Sequence, residues 1–300
     1  MSPTLRRHIS QRTLEVISKT FSALHWPMVD VSKDRGYLRQ WQDIFEDESD
    51  PDIIVQKLLA AGSGSQSNQK LWLYLMNAAQ RLTRKIQPRK YPEVAGMASY
   101  ILPLQEVFMH SPMDSVILTC PNTMTKAGTH RKELLEEKHG KRPDMLISVI
   151  NSNTETVLEV GCGEVKGCRQ EKHEAAIARD LVRVGLFLKD MADHTEDMLG
   201  ITNSVHLGFQ VIGQAGTYYL MAKCGTMYIM SQACTTMIPD CLDEMDRIFS
   251  DYKSWRQIEA AIKRGYEPIL VAMTNGQTSI RKPHFPTTTS PELKNIKGKY

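Results

Sequence analysis

Asp144 and the triplet Glu164-Val165-Lys166 are the residues of this chain whose types and spacing could do chemistry. Asp144 opens an apolar run, Met145 to Ile150. A second run, Thr156 to Gly163, ends directly before Glu164. The linking Asn151-Ser152-Asn153-Thr154 consists of turn-formers, so the two runs read as a β-hairpin that brings Asp144 beside Glu164 and Lys166. Side chains alternate along a strand, which places Leu158, Val160, Cys162, Glu164 and Lys166 on one face and Glu159 on the other. Carboxylates and an ammonium at the margin of an apolar core interact strongly, because water is scarce there. Two convergent carboxylates make a hard-oxygen site for Mg²⁺ or Mn²⁺, and a neighbouring lysine can orient or help deprotonate an attacking water. Hydrolysis of a phosphodiester needs that set.

The elements that must position these groups follow from periodicity. Before them, Leu14, Ile17, Phe21 and Leu24 recur at helical spacing, as do Leu38, Trp41, Ile44 and Phe45, then Leu71, Trp72, Leu75, Met76, Ala79 and Leu82. Residues 1–89 are therefore expected to form a helical N-terminal region. Pro92-Glu93 starts a further helical pattern through Met97, Ile101, Leu104, Val107 and Phe108, with a kink or split expected at Pro103. Residues 114–120 read as a short strand and 129–138 as loop or short helix. After the hairpin, Ile177, Leu181, Val184, Leu188 and Met191 mark one face of a long helix between 170 and 193. Val205 to Ile212, Thr217 to Lys223 and Thr226 to Ser231 read as strands, and a last helix is expected from Pro239 through Met245, Ile248, Trp255 and Ile262. Residues 90–275 then form one domain of α/β (α+β) class, a mixed sheet flanked by helices. The segment 276–300 reads as a disordered basic tail.

Pro143-Asp144 followed by Glu164-Val165-Lys166 resembles the signature of the PD-(D/E)XK, or restriction-endonuclease-like, nuclease superfamily, and the predicted order of helix, three strands, helix and strand is similar to its core. Pro92-Glu93, Ile101-Leu102-Pro103-Leu104, Gly208-Phe209-Gln210-Val211-Ile212-Gly213 and Gly225-Thr226-Met227-Tyr228-Ile229-Met230 also resemble a group of uncharacterised fungal nuclease-like proteins, over roughly 90–265. The resemblance implies cleavage of DNA, or alternatively RNA, with Mg²⁺ or Mn²⁺. Asp144, Glu164 and the Val165 carbonyl would hold the ion, and Lys166 would orient water. Glu93 would be the helix-borne acid, with Glu106 as its substitute. Lys172, Arg179 and Arg183 could line the phosphate backbone, since residues four apart share a helix face. The resemblance equally admits a fold that has kept binding and lost catalysis. A rival reading takes Val157 to Gly163 as the first strand and Gly-rich loop of an S-adenosylmethionine-dependent methyltransferase. Val165 then stands where a close-approach glycine is wanted, and Glu164 would put a negative side chain in the loop.

Composition sets the outer limits. The chain has 300 residues, 41% hydrophobic and 24% charged, and a net charge of +3, which permits contact with phosphate without demanding it. Six cysteines without zinc-type CxxC spacing read as reduced thiols rather than a disulfide framework. Neither a signal-peptide run nor a stretch of about 20 apolar residues is present, so an intracellular place, nuclear or cytoplasmic, is expected.

Overall fold

The structure, a computed structural model, describes residues 11–65, 68–82, 96–112, 115–121, 125–135, 142–153, 155–167 and 173–276. Glu93, Lys172 and the expected tail from 277 onward lie outside the described residues.

Four helices come first: α1 (Gln11–His25), α2 (Arg35–Asp47), α3 (Pro51–Ala61) and α4 (Gln69–Arg81). Phe21 of α1, Trp41 of α2 and Leu75 of α4, which the spacing singles out, are buried, and so is Ile54 of α3. Pro51 opens α3, where the missing N–H costs nothing, and the Asp50 carboxylate accepts the Asp52 amide at 2.9 Å. At Pro103 the expected kink takes a definite form. A π-helical turn, Met97–Ile101, precedes α5 (Leu102–Met109), and the proline falls in the first turn of the new helix.

Six strands follow in one sheet, in sequence order from edge to edge: β1 (Val116–Thr119), β2 (Met145–Asn151), β3 (Thr156–Lys166), β4 (Val205–Ile212), β5 (Ala215–Cys224) and β6 (Met227–Met237). All neighbours are antiparallel except β3 and β4, which run parallel. That parallel step requires a crossover, supplied by α7 (Glu174–Leu199), longer at its C-terminal end than the apolar stripe announced. The span expected as loop or short helix is the helix α6 (Lys126–Leu135), and the last helical segment is two helices, α8 (Asp246–Ser250) and α9 (Tyr252–Thr274). The fold is α/β, a mixed six-stranded sheet flanked by helices.

One face of the sheet carries the main core, in which Val149, Leu158, Val160, Val165, Phe209 and Tyr218 join Leu104, Phe108 and Trp255 and continue into Trp41 and Leu75 of the N-terminal helices. The other face packs on α7, where Cys162 and Leu146 meet Val184, Phe187, Leu188 and Met191. Gly208 makes this approach possible: a Cβ there would stand 2.6 Å from Val184 and 2.7 Å from Leu188.

Strand β3 does not keep a strict period of two. Opposite β2, Gly161 pairs with Ile147 but Glu159 pairs with Ser148, so Val160 is one extra residue, a β-bulge. The expectation that Leu158, Val160, Cys162, Glu164 and Lys166 share a face, with Glu159 opposed, is thereby corrected. Leu158 and Val160 enter the main core, whereas Cys162 lies against α7 with Glu159 and Glu164 acting on its thiol. One inserted residue turns the second half of the strand over.

Candidate functional site

The N-terminal end of β2 and the C-terminal end of β3 meet, because the hairpin pairs Met145 with Gly163. Just before β2, the Asp144 amide donates to the Gly163 carbonyl at 3.1 Å, and its carboxylate accepts the Val165 amide at 2.8 Å. This double clasp fixes Asp144 against the Glu164-Val165-Lys166 backbone. The Val165 side chain is in the core.

Glu164 is fully buried, and neither carboxylate oxygen accepts a hydrogen bond. Arg183 Nη1 approaches Oε2 at 3.1 Å as an ion pair without its N–H directed along the contact. Desolvation chiefly, then the negative charge of Asp144, raises the Glu164 carboxyl to about 8. Arg183 and Lys166 work against the rise and Asp180 adds to it. Lys166 Nζ reaches Asp180 Oδ2 at 3.2 Å, while Arg183 Nη1 donates to Asp180 Oδ1 at 3.0 Å and Nη2 to the Arg142 carbonyl at 2.9 Å. The result is three carboxylates (Asp144, Glu164, Asp180) with two cations (Lys166, Arg183) where two strand ends meet the first turns of α7.

Of the residues expected to carry chemistry, Asp144, Glu164 and Lys166 come together. Arg183 joins them instead of standing out toward a ligand. Arg179, one turn earlier, is exposed, and its Nε donates to the Ala175 carbonyl at 3.2 Å. Glu106 is exposed on α5 and acts with Asp144 on the same thiol, Cys120, raised first by burial and then by these two charges. Asp180 was not anticipated. Its signal was present, since it stands three residues after Ile177 and four before Val184, inside the apolar stripe of α7.

The glycines of the methyltransferase reading lie within β3, hydrogen-bonded into the sheet, and not in a loop. Both are required by packing. A Cβ on Gly163 would fall 2.0 Å from the Phe209 ring, and one on Gly161 would fall 2.5 Å from the Leu207 carbonyl oxygen.

Comparison of the chain with protein-family models, curated proteins and solved structures returns no match.

Among the described residues, one group of three has its ligand atoms close enough together to hold a metal ion: those of Asp240, Cys241 and Glu244, after β6, lie within 4.8 Å of one another. Glu244 is also engaged there by the Gln214 amide and, at 3.3 Å, by Arg247. No helix among the described residues is long and apolar enough to cross a membrane.

Proposed function

We propose that the protein is a divalent-cation-dependent nuclease that hydrolyses phosphodiester bonds of DNA in preference to RNA, with Asp144, Glu164 and Lys166 as its central residues. The observation that carries the reading is Glu164, a buried carboxylate that accepts no hydrogen bond and faces Asp144 and Asp180. A buried ionised carboxylate left so is costly, and hard-oxygen ligation by a cation is one way to satisfy it. Carboxylate oxygens are the ligand type that Mg²⁺ and Mn²⁺ prefer. When bound, the ion would supply Lewis-acid polarisation of a phosphoryl oxygen and a more acidic water.

The chain's own residues divide the remaining work. Asp144, clasped to the Val165 amide, holds its carboxylate at a set place on the β3 backbone. Lys166, drawn to Asp180 at 3.2 Å, keeps an ammonium at the rim, where it can orient water or stabilise charge on the phosphoryl oxygens. Glu106 of α5, the substitute for the first-helix acid, acts together with Asp144 on Cys120. A nuclear or cytoplasmic place suits the substrate and the free thiols of Cys120, Cys162, Cys224, Cys234 and Cys241.

One observation favours a second reading, a nuclease-like fold that binds without cutting. Arg183 already neutralises Glu164 and Asp180, the charge service that a metal ion would perform. Incubation of plasmid DNA with Mg²⁺ or Mn²⁺ separates the two. Wild-type protein is expected to nick or linearise the plasmid, and Lys166→Ala and Asp144→Asn to lower the rate on the order of a hundredfold. Cleavage that is equal in all three proteins, or absent from all three, overturns the nuclease reading.

A further inference from the structure

A cavity of about 450 Å³ lies between α4 and α5, lined by Lys70, Tyr74, Asn77, Arg81, Glu106 and His110 among others. Its cations come from one helix face, Lys70, Tyr74, Asn77 and Arg81 being spaced at four, three and four along α4. Lys70 Nζ donates to the His110 carbonyl at 2.9 Å, and among the described residues neither Lys70 nor Arg81 is paired with a carboxylate. Beyond Arg81 the chain carries Arg84, Lys85, Arg89 and Lys90 before Tyr91, and no acidic residue. A second cavity, of about 380 Å³, shares Lys70 with it but differs in its other cations, since Arg256 and Lys263 are each matched by an acid, Glu259 and Glu267.

The basic cavity also borders the carboxylate site. His110 Nδ1 accepts the Leu118 amide at 3.1 Å, which ties the end of α5 to β1, and Glu106 stands one turn earlier on the same helix. Strand β1 pairs with β2, Thr119 opposite Leu146, so the end of β1 lies alongside the segment that begins at Asp144. Cys120, the next residue, feels both Glu106 and Asp144. Glu106 is thus the link between the cavity wall and the carboxylates.

We propose that this cavity is the seat of a nucleic-acid backbone, with Lys70 and Arg81 contacting consecutive phosphates, and that it leads past Glu106 to the carboxylates at Asp144 and Glu164. The choice of ligand rests on the nuclease reading. An acidic peptide is the other polyanion that such cations could attract, and it is distinguished by competition.

The test is binding without catalysis. Fluorescein-labelled single-stranded and duplex DNA of about 20 nucleotides is titrated in EDTA and read by anisotropy at several salt concentrations. The proteins are wild type, Lys70→Glu/Arg81→Glu, and Lys57→Glu, which reverses an exposed charge outside the cavity. Wild type and Lys57→Glu are expected to bind alike. The double variant should bind at least about tenfold more weakly, with the slope of log affinity against log salt reduced by about 2. Lys70→Gln/Arg81→Gln should do the same in a smaller degree, with an unchanged thermal transition that shows it is folded. The proposal is overturned if the double variants bind as wild type does, if wild type binds neither DNA, or if polyglutamate of equal charge displaces the DNA as effectively as unlabelled DNA. Charge-dependent binding without cleavage by any of the proteins would overturn the nuclease reading alone.

Discussion

At Glu164 the cost of burying a carboxylate is visible in a single side chain. An ordinary glutamate ionises near 4.5, and this one is raised to about 8, so the folded protein holds a proton that the unfolded chain has already released. The sign follows from linkage. Between these two values the native state binds more protons than the unfolded state, and stability therefore falls as pH rises through that window. Glu164→Gln removes the titration. The melting temperature of this variant relative to wild type is expected to climb between about pH 5 and pH 8.5, by the equivalent of a few kcal/mol, and a constant difference would refute the assignment. Mg²⁺ or Mn²⁺ should reverse the ranking, because the wild-type carboxylate gains a ligand that the amide cannot match.

The site was partly legible at this scale. Asp144, Glu164 and Lys166 could be named because a strand period and a hairpin connect them in one dimension. Asp180 and Arg183 could not, because their partners lie on β3, and only the crossover of α7 over the sheet brings them there. Arg183 read, with Arg179, as a residue that could line the phosphate backbone, since nothing local distinguishes the two. One helical turn decides the difference, placing Arg183 over Glu164 and leaving Arg179 in solvent.

Among the elements, β3 bears the tightest constraints. It is flanked by β2 and β4, packs α7 on one side and the main core on the other, and ends in the candidate site. Gly163 lies under the Phe209 ring. Gly163→Ala is expected to cost about 2 kcal/mol or more, read as a lowered denaturation midpoint, because the ring is fully buried and has no room to retreat. Adding Phe209→Leu should recover part of the loss, an outcome that a backbone-conformation effect of the glycine would not give. The strands and long helices were legible because their apolar periods are local. The break in period at Val160 was not, since the adjacent Gly161 is accounted for by close packing on Leu207 and the register with β2 alone reveals the extra residue.

On the scale of the whole molecule, the N-terminal helices and the sheet share one core. The Tyr252 hydroxyl of α9 lies 3.0 Å from the Asp34 carboxylate and 2.7 Å from the Asn68 amide oxygen, joining the C-terminal helix to the segments that flank α2 and α4. One buried histidine, His206, and one half-buried, His194, weaken this assembly in acid. His206 and His194 are both lowered to about 4, chiefly by burial, with His130 adding to the effect on His194. Because the unfolded chain protonates these rings near 6.5, stability present above that value should be lost as pH falls from about 6.5 to 4. Urea midpoints measured across that range are expected to fall, and to fall less steeply in His206→Gln. An equal slope would locate the acid sensitivity elsewhere.

The extra residue at Val160 has a bearing on how such a site can be moved or lost. Which side of the sheet Glu164 and Lys166 occupy is a matter of parity, decided by whether an odd or even number of residues separates them from Leu158 in the ladder. Deleting Val160 removes the residue that is extra to the ladder and leaves each pair as it is, Ser148 opposite Glu159 and Ile147 opposite Gly161, so Glu164 and Lys166 stay on the α7 side. The deletion is expected to keep cooperative unfolding and a titrating Glu164 at the cost of one buried valine, and loss of the titration would refute this account of the ladder. Val160→Ala should likewise leave Glu164 titrating as before. The side to which these charges are delivered therefore depends on how the ladder is paired, and the identity of the residue left out of it is nearly immaterial.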